Sequence, residues 1–265
     1  PLHLLLQYLT SSQFFSHFFR QLKLKPHLMH ILVGRNDFFT FQSFKFNFKN
    51  FASIIVNMLL NKENIIKKGF EFLSKDPIMN YLISQLGKGI DATDRYNSNY
   101  ALAISNLIIE QQISFKAAIT IKKKFKKLIN GLSNLEIINL DNNKIQSIGL
   151  SFRKVEYIKN VLIFFEKNKY EFEDMTNDEV FEKLTVIKGV GKWTCEMFLI
   201  FVLFRSDIFS FGDIALINSI KKNYNVYSKE KIKIIVNNYK PYRSVASLIL
   251  WSSVESGTFY KKSIS

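Results

Sequence analysis

The rhythm of apolar positions in this 265-residue chain changes near residue 60. Before that point, phenylalanines alternate with polar residues from Phe39 to Phe48, a two-residue spacing that suits strands. From Lys62 onwards apolar residues recur every three or four positions and hairpin signals are few, so the main body is expected to be all-α. Asp76-Pro77 is a helix start, Asp as cap and Pro in the first turn, and Gly87 closes that helix. A linker over 88–99 leads to a helix over Tyr100–Glu110, apolar at Ala103, Leu107 and Ile108. Ser114 can cap the next helix, Phe115 to Asn130. Ser133 with Glu136 and Thr176 with Glu179 have capping-box spacing, and Ser151 begins a helix that aligns Val155, Ile158, Val161, Leu162 and Phe165. Then come a helix ending near Lys188, a tight Gly189-Val190-Gly191 turn, and a helix from Lys192 to about Leu203. A short loop carrying Asp213 follows, then two or three further helices, the last starting at Pro241 and holding Trp251.

This pattern divides the chain into three parts. Residues 1–61 form a Phe/Leu-rich extension or small lobe, 62–257 a helical domain, and 258–265 a short tail. The first part contains one acid, Asp37, and opens on Pro1, as a fragment or a processed product would. An extension, a targeting segment and a small β-rich lobe remain open for it. No apolar run approaches the ~20 residues a membrane-spanning helix needs, so no membrane partner is expected.

Composition narrows the chemistry. A net charge of +15 points to a polyanionic partner, although a bias toward Lys, Asn, Ile and Phe would also produce it. Cys195 is the single cysteine, which excludes a disulfide framework, a zinc cluster and a four-cysteine iron–sulfur cluster, and fits a reducing, intracellular compartment. All four histidines (His3, His17, His27, His30) precede residue 31. A Ser-His-Asp or Cys-His device in the helical domain is therefore ruled out, as is a His-ligated metal there. Chemistry in that domain must run on carboxylates, Lys, Tyr or backbone dipoles.

The stretch LTVIKGVGKWTCEMFLIFVLFRSDIFSFGDIAL, Leu184 to Leu216, supplies the candidate. Two glycines around Val190 allow a sharp turn and close approach to a ligand. The amides that open the following helix point outward, where a phosphate could accept their hydrogen bonds. GVGKWT with an acid twenty-odd residues later resembles the helix-hairpin-helix DNA glycosylases, named for the hairpin, a Gly/Pro-rich loop and a catalytic Asp. With IIEQQISFKAA, GLSFRKVEYI and KPYRSVASLILW in matching order, the resemblance is to the alkyl-base branch, the 3-methyladenine DNA glycosylase II family. It covers roughly Lys62 to Ser256 and implies an all-α, two-lobed helical domain with a cleft.

What the resemblance implies is specific. Asp213 would be the catalytic carboxylate, although Asp is also a favoured cap for the helix that starts near Ile214. Both roles can coexist. Trp193 and Met197, one turn apart, and Trp251 from the last helix would line a base pocket; core packing is the competing role for each. Gly189, Val190, Gly191, Lys192 and Thr194 would hold DNA phosphates, with Gln112 and Ser114 at the turn that wedges the duplex, unless Gln112 is simply a surface loop residue. Arg243 would serve either DNA or a structural ion pair. The basic face Lys122, Lys123, Lys124, Lys126 and Lys127 reads as solvated surface. In relatives that also cut the strand, the second residue after the hairpin is a nucleophilic lysine; Trp193 stands there, so hydrolysis alone is expected. No organic cofactor is implied, while the carbonyls of Lys188 and Val190 could hold Na+ or K+. The partner is double-stranded DNA with damaged bases, met by a monomer, in the nucleus if the source is eukaryotic. Two departures bear on specificity: Ser210 replaces an expected proline, and Ala215 an expected glycine.

A non-catalytic helix-hairpin-helix DNA-binding module is the alternative from another class. A glycosylase for uracil, a deaminated purine or an oxidised base is the other. A pure binder has no need of an acid facing an anionic duplex, which makes Asp213 the discriminating residue.

Overall fold

The computed structural model describes residues 59–61 and 63–261. The strand-like run of the N-terminal part, the targeting and lobe readings, and all four histidines lie outside them, as do the last four residues of the tail.

Twelve α-helices make up the described residues: α1 (Glu63–Leu73), α2 (Pro77–Leu86), α3 (Tyr100–Glu110), α4 (Phe115–Leu128), α5 (Asn134–Asn139), α6 (Asn142–Gln146), α7 (Phe152–Lys167), α8 (Asn177–Leu184), α9 (Lys192–Phe201), α10 (Ile214–Tyr224), α11 (Lys229–Asn238) and α12 (Arg243–Ser256). Local chemistry sets most boundaries. Asp76 accepts from the amides of Ile78 and Met79 to start α2, Ser114 caps α4, and both capping boxes form, at Ser133–Glu136 and Thr176–Glu179. Each of these satisfies amides the first helical turn would leave unpaired.

α4 and α9 each end two residues earlier than the sequence pattern suggests, at Leu128 and Phe201, and two boundaries beside the site also differ. α8 ends at Leu184, four residues before Lys188, because Thr185 to Lys188 form turns that lead into the glycine hairpin. α12 starts at Arg243, not Pro241, and Tyr242 stands outside the helix at its N-cap position.

The helices pack as two groups. In one, α7 lies against α3, α5 and α6, while α3 also meets α4 and α9, and α8 meets α9. In the other, α12 packs on α1, α2 and α10, with α11 beside α10. α3, α9 and α12 are the hearts of these groups. α9 buries Thr194 through Phe201 on every side, and α12 buries most of its length from Ser244 to Ser253. Small residues allow that close fit: Ser219 and Ser253 hydroxyls hydrogen-bond at 2.7 Å between α10 and α12. The groups touch where the Trp251 ring meets Phe201, centroids 5.6 Å apart. This is a two-lobed helical body, and its chain path puts the glycine hairpin in one lobe and the cap of α10 at the edge of the other.

Candidate active site

The hairpin is built around Gly189. Its φ of +102° is disfavoured for any residue with a side chain, and a Cβ there would sit 2.2 Å from Tyr157 Cγ. Tyr157 of α7 thus packs directly on the hairpin backbone. Gly191 differs: a Cβ there would meet nothing within 4 Å, so the protein itself does not demand glycine at that position. Gln111, at the end of α3, braces the turn from behind. Its amide donates to the Gly189 carbonyl at 3.1 Å and to the Thr194 hydroxyl at 2.9 Å. Lys154 in turn donates to the carbonyls of Ile109 and Gln111, at 2.8 and 2.6 Å, and burial holds its pKa below the ordinary lysine value.

No side chain caps the start of α9. Its first-turn amides therefore lie open beside the hairpin, the arrangement that suits a bound anion. Lys192, at 77% exposure, stands next to them. The Lys188 carbonyl meets only a long 3.5 Å contact from the Asn160 amide, and its ammonium is held by Glu156 at 2.7 Å, which raises its pKa.

Asp213 closes the other side. It is the N-cap of α10, and its Oδ1 accepts from the Leu216 amide at 2.9 Å. Its Oδ2 accepts from the indole N–H of Trp193 at 2.9 Å. The carboxylate is half-buried and held at both oxygens, and each oxygen keeps a lone pair for another partner. The loop before it turns through a hydrogen bond from the Asp213 amide to the Ser210 carbonyl, 3.2 Å.

The remaining sequence candidates divide. Gln112 is exposed at the tip of the α3–α4 turn in a left-handed conformation, φ 55°, and Ser114 is likewise exposed while its hydroxyl caps α4. Two expectations need correction and a third is narrowed. Met197 is wholly buried in the core and presents no surface to a ligand. It points inward because α9 is buried on all sides. Thr194 is 1% exposed with its hydroxyl taken by Gln111, so only its amide can reach DNA. Arg243 is committed to Asp207, Nε to Oδ1 at 2.7 Å and Nη2 to Oδ2 at 3.0 Å, with Nη2 also on the Asp207 carbonyl. That bidentate pair fixes the entry to α12 and is the structural ion pair that was one of the two readings of Arg243. Trp251 is 9% exposed, packed on Phe201 with the Arg95 guanidinium 5.9 Å from its ring.

Gln111, Tyr157 and Glu196 belong to the site's framework; each lies inside a quoted stretch of sequence, yet none was given a role there. The doublet Gln111-Gln112 offered no means of telling which glutamine braces and which protrudes. For Glu196 the signal was present: it is a lone acid in the apolar run CEMFLIF.

A helix start open to anions and an oriented carboxylate, brought together where two helical lobes meet, suit a protein that binds a phosphate backbone. Comparison with known proteins agrees. The chain belongs to the HhH-GPD superfamily of base excision DNA repair proteins, whose sequence model matches residues 106–241. It is similar to the DNA-3-methyladenine glycosylase 1 of Schizosaccharomyces pombe, 30% identical over 165 residues that cover 58% of this chain and 72% of that one. It is also similar to the Saccharomyces cerevisiae DNA-3-methyladenine glycosylase, 26% identical over 202 residues, 60% of this chain and 68% of that one. Among solved structures, the S. pombe 3-methyladenine DNA glycosylase in complex with abasic DNA superposes with a TM-score of 0.67 at 26% identity, over 73% of this chain and 100% of that chain.

Proposed function

We propose that this chain is a monofunctional DNA glycosylase of base excision repair that removes alkylated purines of the 3-methyladenine type from duplex DNA by hydrolysis. The observation that carries the reading is the Asp213 carboxylate, fixed by the Leu216 amide and the Trp193 indole. The relatives' names supply the substrate class.

The mechanism follows from the chain's own groups. The open amides of α9, together with Lys192, take backbone phosphates and set the register of the duplex without reading sequence. Gln112, exposed at its turn, fills the space left when the damaged nucleotide swings out. Cleavage of the N-glycosidic bond places positive charge on the sugar, and the Asp213 carboxylate stabilises that charge or orients the attacking water. A 3-alkylated purine is already cationic and departs without a strong general acid, which suits a domain whose described residues contain no histidine. The face of Trp193, whose N–H is spent on Asp213, offers an aromatic surface beside this chemistry for a stacked base. Capping and catalysis use the same carboxylate and do not compete, because the cap occupies one lone pair of Oδ1.

Lys192 is one position away from the helix face on which Trp193 meets Asp213, about 100° around the axis. An imine with the sugar is therefore not expected, and the product is an intact abasic strand. No organic cofactor is required. A monovalent cation at the carbonyls of Lys188 and Val190 fits the donors, since the Lys188 oxygen has one long partner; such an ion would add positive charge beside the phosphate. Among the described residues no helix is long and apolar enough to cross a membrane. The reading places the enzyme inside the cell as a monomer, in the nucleus where there is one.

The test is to incubate the protein with methylated duplex DNA and identify the released bases. Free 3-methyladenine is expected. Release of uracil, hypoxanthine or an oxidised purine from the matching substrates, with none from methylated DNA, would reassign the substrate. Tight binding with no release would make the chain a binding module.

A further inference from the structure

Glu196 is a buried acid that the mechanism above leaves unused. Its residue is 5% exposed, inside α9, where every residue from Thr194 to Phe201 is buried. One oxygen, Oε2, accepts from the Ser210 hydroxyl. The other, Oε1, has only the exposed ammonium of Lys192, at 3.9 Å. A buried carboxylate with one neutral donor and one long ion pair costs stability that an apolar residue at the same place would not. That cost calls for a use.

Ser210 connects it to the chemistry. It is fully buried, it stands where the family resemblance leads one to expect proline, and its carbonyl receives the amide of Asp213. A proline would stiffen this loop through its ring; here a hydroxyl ties the loop to α9 instead. The chain of bonds runs from Glu196 through Ser210 to the backbone of Asp213, while Trp193, three residues before Glu196 on the same helix, holds the Asp213 side chain.

We propose that Glu196 is a positioning residue for Asp213: through Ser210 it sets the catalytic loop, and its charge strengthens the negative field in which the sugar becomes cationic. The inference rests on Asp213 being the catalytic carboxylate.

The groups that face Glu196 are Lys192 and the Cys195 thiol from its own helix, and Ser210 and Asp213 from the loop. Burial pushes the Glu196 carboxyl above the ordinary glutamate value; the Ser210 hydrogen bond and Lys192 oppose the shift, and the Asp213 charge adds to it. Glu196 is thus ionised above its raised pKa and takes up a proton as pH falls through it, so the rate constant for base release should fall in that range. The sign distinguishes charge from mere packing.

The experiment is single-turnover base release at saturating methylated DNA, from acid to neutral pH, for the wild type and four variants. Glu196→Gln keeps the shape and an acceptor for Ser210 but has no charge. It should be about tenfold slower at neutral pH and should lose the part of the acid limb that Glu196 supplies. Ser210→Ala should slow release at every pH, move the limb to higher pH because the lost hydrogen bond favoured the ionised form, and leave the affinity for abasic-site DNA unchanged. Lys192→Gln, on the surface and harmless to folding, removes a cation that favours the ionised form, and should move the limb to higher pH. Asp213→Asn separates the two claims. If it is inactive while Glu196→Gln matches the wild type in rate and pH profile, the positioning role is wrong and Asp213 stands. If Asp213→Asn is fully active, the catalytic assignment itself falls. A Glu196→Gln protein that fails to fold leaves the Lys192→Gln shift as the deciding result: an unmoved limb overturns the proposal.

Discussion

The indole N–H of Trp193, in the first turn of α9, donates to Oδ2 of Asp213, the residue that caps α10, at 2.9 Å. The bond joins the two helical lobes, since α9 packs with α3 and α8 while α10 packs with α11 and α12. It also orients the Asp213 carboxylate, which stands across the lobe junction from α9. Trp193→Phe keeps the ring and removes the donor. The expected result is a fall in the rate of base release of roughly tenfold, with a loss of ~1 kcal/mol in folding stability, read by single-turnover kinetics and urea unfolding. An unchanged rate would mean that the Leu216 amide alone orients Asp213.

The hairpin glycines should separate. Gly189→Val places a Cβ against Tyr157 in a left-handed backbone, and should cost ~2–4 kcal/mol of stability, with DNA binding lost as a consequence. Gly191→Ala meets open space and should melt like the wild type, yet bind every duplex more weakly, damaged or not, because the methyl stands where a phosphate approaches. Thermal unfolding and titration with undamaged DNA together decide it. A loss confined to one lesion would contradict a phosphate-clamp role.

Arg243 is the converse case. Its pair with Asp207 is partly buried and bidentate, so Arg243→Ala should cost ~1–3 kcal/mol of stability without altering the salt dependence of DNA binding. Lys192→Ala should do the opposite, leaving stability intact and reducing the salt slope by about one counterion. Swapped outcomes would return Arg243 to the DNA interface.

Lysine chemistry offers a further check. Borohydride added during turnover should trap no protein–DNA adduct, since the position that would need lysine is Trp193. Trapping that disappears in Lys192→Ala would show that Lys192 reaches the sugar.

The helical pattern and the caps were legible because they are local: Asp76, Ser114, Ser151 and the two capping boxes each act within three residues. Asp213 was legible twice over, as cap and as the acid after the hairpin. What escaped was decided by partners distant in sequence. Gln111 finds Gly189 and Thr194 some eighty residues on, and Arg243, left open between DNA and an ion pair, finds Asp207 36 residues before it. Met197 sat one turn from Trp193, and a turn's spacing could not tell that α9 would be enclosed on every side. Glu196 is intelligible only once Ser210 is seen above it.

The most direct test of the account is the rate of 3-methyladenine release from methylated duplex DNA by Asp213→Asn beside the wild type, with the affinity for abasic-site DNA measured on the same samples. The carboxamide keeps an oxygen to cap α10, so the fold should hold. Release should fall by about a hundredfold or more, and DNA binding should persist or tighten as a negative charge leaves the interface. A wild-type rate from the Asn protein would reduce Asp213 to a helix cap and contradict the account.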